Sequence, residues 1–488
     1  MIEPSQSSSL LPDSEGHVQG ERPFSSVLTA LCLLVCLGGF GLLLWTVAFS
    51  DGVRESSMTA SRDLERIASR LLGVESRLSD LSAFEQAMFH LWGEDGDTQG
   101  QLRLWYAELP EERRHPLDEL YSGILDGEAG LRANLLALME KWPSAISPFP
   151  TFRRLLDVGY LENDQVETDY DWLQAKLAEE VPANWFYFQL AGRLASQSGN
   201  EALRDNLQQQ FKQLTNPQLW AWRALTIFEL SLGGIGLIGI VSVVGMWFKN
   251  KMLWRVECFS QKPSLWSFNE GLAVLARGGA CSIFLIALLA VVPYGITILE
   301  DYGSLLLYLP TVALAAVWLG RSTNRSFFEV LGCKNVFQRF KTSVLFLISV
   351  IALGLLGDWL IMLGGDVFQI STHWTEWFMP QLVWGSQSEL WKTSIEVVVV
   401  APIFEELIFR GILYSTLRAK FGVPASLIGS ALIFALAHGY GPTAFLTVFW
   451  SGMLWAWVYE RTGSLIPGMC AHAINNGMVV YFLVAVFR

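Results

Sequence analysis

The feature that most limits the folds open to this chain is a series of apolar runs, most about 20 residues long. A run of that length crosses the ~30 Å hydrocarbon core of a bilayer as a helix, the one open-ended element whose backbone groups are all satisfied internally. Nine runs are legible, near 27–49, 224–247, 278–298, 303–319, 343–364, 391–414, 424–438, 442–459 and 465–487. Composition agrees, with 52% of the 488 residues hydrophobic and 20 Trp and 30 Phe among them. The expected fold class is all-α, a multi-pass helical membrane bundle of about nine spans. The first run is about twice as long as the ~7–15-residue core of a cleaved signal peptide, so it reads as an anchor.

One long polar stretch, 51–222, separates the first two runs. It holds 16 Lys/Arg against 28 Asp/Glu, which equals the formal net charge of −12 of the whole chain. That acidity suits a solvated domain and argues against nucleic acid or an anionic membrane surface as partner. None of the six cysteines falls within it, so no disulfide holds it. Its apolar residues have helical spacing. Leu64, Ile67, Leu71, Val74, Leu78 and Leu81 alternate three and four apart as in a heptad seam, and two amphipathic helices are expected to break at Gly199-Asn200. The organisation expected is a tail at 1–26, an anchor at 27–49, an inserted α-helical domain at 51–222, supporting membrane helices at 223–390 and a catalytic core at 391–488. Short-loop Lys and Arg set the orientation. Lys249, Lys251, Arg255 and Lys262 follow the second run, Arg321, Arg325, Lys334, Arg339 and Lys341 the fourth, Arg418 and Lys420 the sixth, and Arg461 the eighth. This predicts a cytoplasmic N-terminus and an extracytoplasmic 51–222.

The sixth run contains APIFEELIFRGILYSTL, with Glu405, Glu406 and Arg410 in its middle. An ionisable residue at the centre of a bilayer helix costs roughly 2.5–3.5 kcal/mol on insertion scales. Residues four apart share a helix face, so Glu406 and Arg410 can neutralise each other. Glu405 lies about 100° round the helix and is left over. Two later runs bring further polar groups: His438 at the end of IFALAH, and His472 with Asn476 four residues on in HAINN. Counted from the turns near Phe421-Gly422 and Gly463, all four lie roughly 14–24 Å along their helices, at comparable depth in an antiparallel bundle. A single membrane histidine is commonly satisfied by a backbone carbonyl. A Glu, two His and an Asn converging in an apolar bundle can instead perform hydrolysis. The carboxylate takes a proton from water that a histidine orients, and the second histidine and the amide donate to a tetrahedral oxyanion.

These motifs, EELIFR (Glu405–Arg410), FALAH (Phe434–His438) and HAINN (His472–Asn476), follow the order EExxxR, FxxxH, HxxxN. The chain therefore resembles the CAAX-protease and bacteriocin-processing (Abi, Rce1-like) family of intramembrane endopeptidases over about 391–488. The resemblance implies an enzyme like type 2 CAAX prenyl proteases, with Glu405 and His438 activating water and His472 and Asn476 stabilising the oxyanion. Glu406, Arg410 and Phe434 would support the site. Glu405, His438 and His472 can also be read as three ligands of a Zn²⁺ ion with an open position for water. The implied partners are the bilayer and a membrane-associated or exported protein or peptide. Other readings of the same polar groups are a non-catalytic interaction or immunity protein and an ion-coupled transporter.

The orientation is testable by thiol labelling. A cysteine at Ser198 should react with an impermeant reagent in intact cells whose outer envelope has been made permeable, and one at Ser260 should not; the reversed pattern would invert the topology.

Overall fold

The computed structural model describes residues 24–49, 59–92, 98–161, 168–249, 266–323, 340–368, 370 and 372–488. Lys251, Arg255, Lys262, Arg325, Lys334 and Arg339, used above for orientation, and the tail up to residue 23 lie outside them. Among the described residues the regular structure is helical throughout.

Helix α1 (Ser26–Phe49) comes first, followed by a polar layer of α-helices. These are α2 (Ala60–Glu75), α3 (Ala83–Trp92), α4 (Thr98–Ala107), α5 (Pro116–Glu128), α6 (Arg132–Glu140), α7 (Phe149–Leu156), α8 (Tyr170–Glu180) and α9 (Trp185–Gln197). Their apolar faces meet in one core. Leu64 and Ile67 from α2, Tyr121, Ile124 and Leu125 from α5, and Phe186 from α9 are buried there, and the Tyr121 and Phe186 rings stack at 4.1 Å.

The heptad-like spacing does not produce a coiled-coil seam. Helix α2 stops at Glu75, and Leu78 falls in a 3₁₀ turn, Leu78–Asp80. Arg77 leaves the helix to bind Asp80 at 2.9 Å, Thr215 at 3.1 Å and Asn216 at 2.6 Å, so tertiary partners win over helix continuation. Val74 and Leu81 accordingly pack with Leu219 in a small separate cluster. The break expected at Gly199-Asn200 is present: α9 ends at Gln197, Gly199 has φ +68°, and α10 (Glu201–Lys249) follows. That left-handed conformation is open to glycine without the clash that a Cβ brings. Helix α10 is 49 residues long and passes from the polar layer into the second apolar run without a break, although it contains Pro217.

The next spans differ from the sequence reading at their edges. Helix α11 (Phe268–Val291) starts ten residues before the expected 278, where Ser267 and Glu270 form a capping box. The apolar pattern places the start after Arg277, but that guanidinium lies 4.4 Å from the Phe24 ring centroid and donates to the Ser25 carbonyl at 3.3 Å. Helix α12 (Gly295–Thr323) likewise starts earlier than 303. It is followed by α13 (Phe340–Val367).

The last four elements carry the motifs. The sixth run is one helical rod, α14 (387–418), but not a regular one. Its α-helical segments Gln387–Ile395, Ala401–Glu405 and Ser415–Arg418 alternate with π-helical stretches Glu396–Val400 and Glu406–Tyr414. Helices α15 (Val423–His438), α16 (Pro442–Thr462) and α17 (Ile466–Phe482) complete the bundle. By length and composition, six described helices can cross a membrane: α1, α10, α11, α12, α13 and α17 with its π-helical end. The chain is an integral membrane protein. The runs that fall short of that measure are α14, α15 and α16.

The polar layer is not loosely tethered. Its core is continuous with Trp374, Phe378, Leu382 and Val383, and with Val480, Leu483 and Phe487 at the end of α17. Trp384 fastens the junction: its indole N–H donates to the buried Asp63 carboxylate at 2.6 Å, and the Arg62 and Arg66 guanidinium groups lie 4.2 and 4.5 Å from its ring centroid. Trp384→Phe keeps an aromatic ring but removes the donor to Asp63. It should cost about 1–3 kcal/mol, read as a lower thermal midpoint and faster proteolysis within 60–200; unchanged values would show that the junction does not depend on this bond.

Candidate active site

The site forms where α14, α15, α16 and α17 meet. Arg410 and Glu406 are each 1% exposed, and the Arg410 Nη1 donates to Glu406 Oε1 at 2.8 Å, the pairing that their four-residue spacing predicts. The same guanidinium donates through Nη2 to the Gly452 carbonyl on α16 at 3.2 Å. It lies 4.1 Å from the Phe434 ring centroid and 5.1 Å from that of Trp455. Two glycines let the neighbouring helices come this close. A Cβ at Gly452 would stand 3.2 Å from Arg410 Nη2, and one at Gly468 3.2 Å from Glu406 Oε2.

His472, 3% exposed on α17, faces both carboxylates. Its Nδ1 is 3.2 Å from Glu406 Oε1 and its Nε2 is 3.7 Å from Glu405 Oε2. The ring is clamped by stacking on Trp455 at 4.0 Å and 18°, and it meets Phe434 edge-on at 6.0 Å. His438 ends α15, where Gly439 closes the helix with φ +66°. Its Nδ1 is bonded to the Phe434 carbonyl at 2.8 Å. A carbonyl only accepts, so Nδ1 carries the hydrogen, and in the neutral ring Nε2 is left as an acceptor. Phe434 thus supports three groups: Arg410 over its ring, His472 at right angles to it and His438 through its carbonyl.

Asn476 sits one turn beyond His472 and is brought to α14 at a different point. Its Nδ2 donates to the Val397 carbonyl at 2.9 Å, inside the first π-helical stretch. A π-helical stretch departs from the regular i to i+4 ladder, and such stretches are frequent at functional sites. The structure therefore brings Glu405, Glu406, Arg410 and His472 together, with His438 anchored beside them and Asn476 held one turn away. No hydrogen bond joins His438 to Glu405 among the described residues.

Several groups here carried no motif signal. Tyr308 on α12 donates its hydroxyl to Glu405 Oε1 at 2.6 Å. Trp455 supports His472, as above. Glu460, 2% exposed on α16, accepts from the Tyr414 hydroxyl at 2.5 Å and faces Arg418 at 3.4 Å, tying the far end of α14 to α16. Tyr308 and Trp455 are aromatic residues within apolar runs and Glu460 lies just past the end of the eighth, and none belongs to a recognisable spacing.

The three side chains read as a metal set do not fit that use as arranged. Among the described residues no three His, Cys, Asp or Glu side chains stand in metal-holding geometry. His472 turns its two ring nitrogens to two different carboxylates.

Residues 387–478 match the family model described as type II CAAX prenyl endopeptidase Rce1-like. The similarity to that family is confined to the C-terminal membrane core, and the matched segment contains every motif residue named above. No curated protein and no solved structure matches the chain.

Arg410→Ala would leave Glu406 buried without its cation. Breaking a buried pair in this way costs about 3–5 kcal/mol, so the variant should show a lower folded yield and thermal midpoint as well as lower activity. Parent-like yield and melting would remove the structural role assigned to the pair.

Proposed function

We propose that the chain is an intramembrane endopeptidase that hydrolyses a peptide bond, near the C-terminus of a membrane-associated or exported protein, with water activated by Glu405. The observation that carries this reading is the Glu405 carboxylate itself. It is buried to 9% exposure, its neighbour Glu406 takes the arginine, and His472 lies beside it. A buried carboxylate without a dedicated cation is costly to keep and is a functional-site candidate by default.

Glu405 accepts the proton of the attacking water and can return it to the leaving amine. The free Nε2 of His438 accepts a second hydrogen of that water and fixes its direction. His472 holds the two glutamates in register. Asn476 uses one amide hydrogen on Val397 and has a second, as every primary amide does, to offer to an oxyanion. The catalytic cluster lies close to the polar layer. Val480, which packs into the layer's core, is two turns beyond His472, roughly 12 Å along α17. This proximity supports a role for 51–222, taken as extracytoplasmic, in selecting or presenting substrates. A surface held next to the site raises the effective concentration of whatever it binds.

The test uses full-length protein in lipid vesicles and two quenched hydrophobic peptides that differ only in a prenyl group on a C-terminal cysteine. Glu405→Gln should insert and melt like the parent but lose cleavage by at least about 100-fold, the lower end of general acid–base contributions. Equal cleavage by parent and variant would remove Glu405 as the base. Absence of cleavage by the parent on both peptides, with altered ion flux instead, would favour a transporter.

A further inference from the structure

The family match begins at residue 387, yet the hydroxyl bonded to Glu405 comes from α12, 97 positions before that glutamate in the chain. Ser304 and Tyr308 are four residues apart and so share one face of α12. Both are aimed at carboxylates of α14: the Ser304 hydroxyl donates to Glu396, and the Tyr308 hydroxyl donates to Glu405 Oε1 at 2.6 Å. The Tyr308 ring is itself fixed, lying nearly parallel to Phe404 at 5.9 Å and 11°.

We propose that Tyr308 is a positioning residue of this centre, holding the Glu405 carboxylate in the orientation from which it meets water. The inference rests on the hydrolytic reading given above. A glutamate has three side-chain torsions, and the buried cation one turn along α14, Arg410, is engaged by Glu406. Two contacts from other helices orient Glu405 instead: Tyr308 on Oε1 and His472 near Oε2. A carboxylate has about four lone-pair sites, so Oε1 and Oε2 both retain acceptor capacity for water after these contacts. The hydroxyl comes from a helix outside the matched segment, so the catalytic unit extends to α12. Tyr308 acts through Glu405 and not on the reacting bond, so its effect should fall on turnover and not on substrate binding.

The experiment compares parent, Tyr308→Phe, Ser304→Ala and Glu405→Gln in vesicles on the two quenched peptides. Tyr308→Phe retains the ring against Phe404 and loses only the hydroxyl. A misplaced catalytic group costs up to about 100-fold, so its kcat should fall by about 10- to 100-fold, with KM and thermal midpoint unchanged. Ser304→Ala, on the same face but bonded to Glu396 instead, should stay within about twofold of the parent, since a group that does not hold Glu405 leaves the reacting geometry in place. Parent-like kcat in Tyr308→Phe overturns the proposal while a dead Glu405→Gln leaves the hydrolytic reading standing. A lower midpoint with kcat and KM both impaired, or an equal loss in Ser304→Ala, makes the role one of packing and also overturns it. If the parent is no faster than Glu405→Gln, the hydrolytic reading fails and this inference falls with it.

Discussion

A guanidinium removed from water inside an apolar bundle has to be surrounded by partners, and Arg410 recruits them from its own helix and two others. Glu406 supplies the opposite charge, Gly452 a carbonyl, and Phe434 and Trp455 their rings. The same residues then do a second task. Glu406 meets His472, Trp455 stacks on that ring, and Phe434 anchors His438 through its carbonyl. Holding one buried cation therefore uses the same residues that hold both histidines. It also leaves Glu405, on the adjoining position of the helix, without the arginine.

Of the four helices that hold this cluster, α14, α15 and α16 fall short of a membrane span by length or composition, and α17 alone reaches one. Helix α15 has 16 residues, α14 alternates α- and π-helical turns, and α16 carries the buried Glu460. Longer apolar helices, α10 to α13, are available to shield them. An irregular or charged backbone is tolerated at membrane depth only where protein or water surrounds it. The supporting spans thus make the site possible, and α12 goes further by giving a hydroxyl to Glu405.

The polar layer extends this arrangement beyond the bundle. Helix α10 runs through both, and the end of α17 is part of the layer's own core. A continuous helix and a shared apolar core transmit position better than a flexible tether does. The short segment around Trp384 links the layer to the beginning of α14, so the layer is mechanically joined to the helix that carries Glu405.

Local rules determined much of this protein from sequence alone. Runs of about 20 apolar residues require helices in lipid, and a four-residue spacing places Glu406 beside Arg410 because both lie on one face. Gly199 marks a break because few other residues accept its backbone conformation. What stayed hidden depended on partners far away in the chain. The heptad-like spacing after Leu64 is overridden where Arg77 finds Thr215 and Asn216. Helix α11 begins before Arg277 because Phe24 and Ser25 cover that cation. Asn476 is committed to the Val397 carbonyl, and Glu405 to Tyr308, by the packing of separate helices. Spacing reports which side chains share a face of one helix; only the tertiary structure decides what that face meets, because contact between helices depends on their depth, tilt and rotation together.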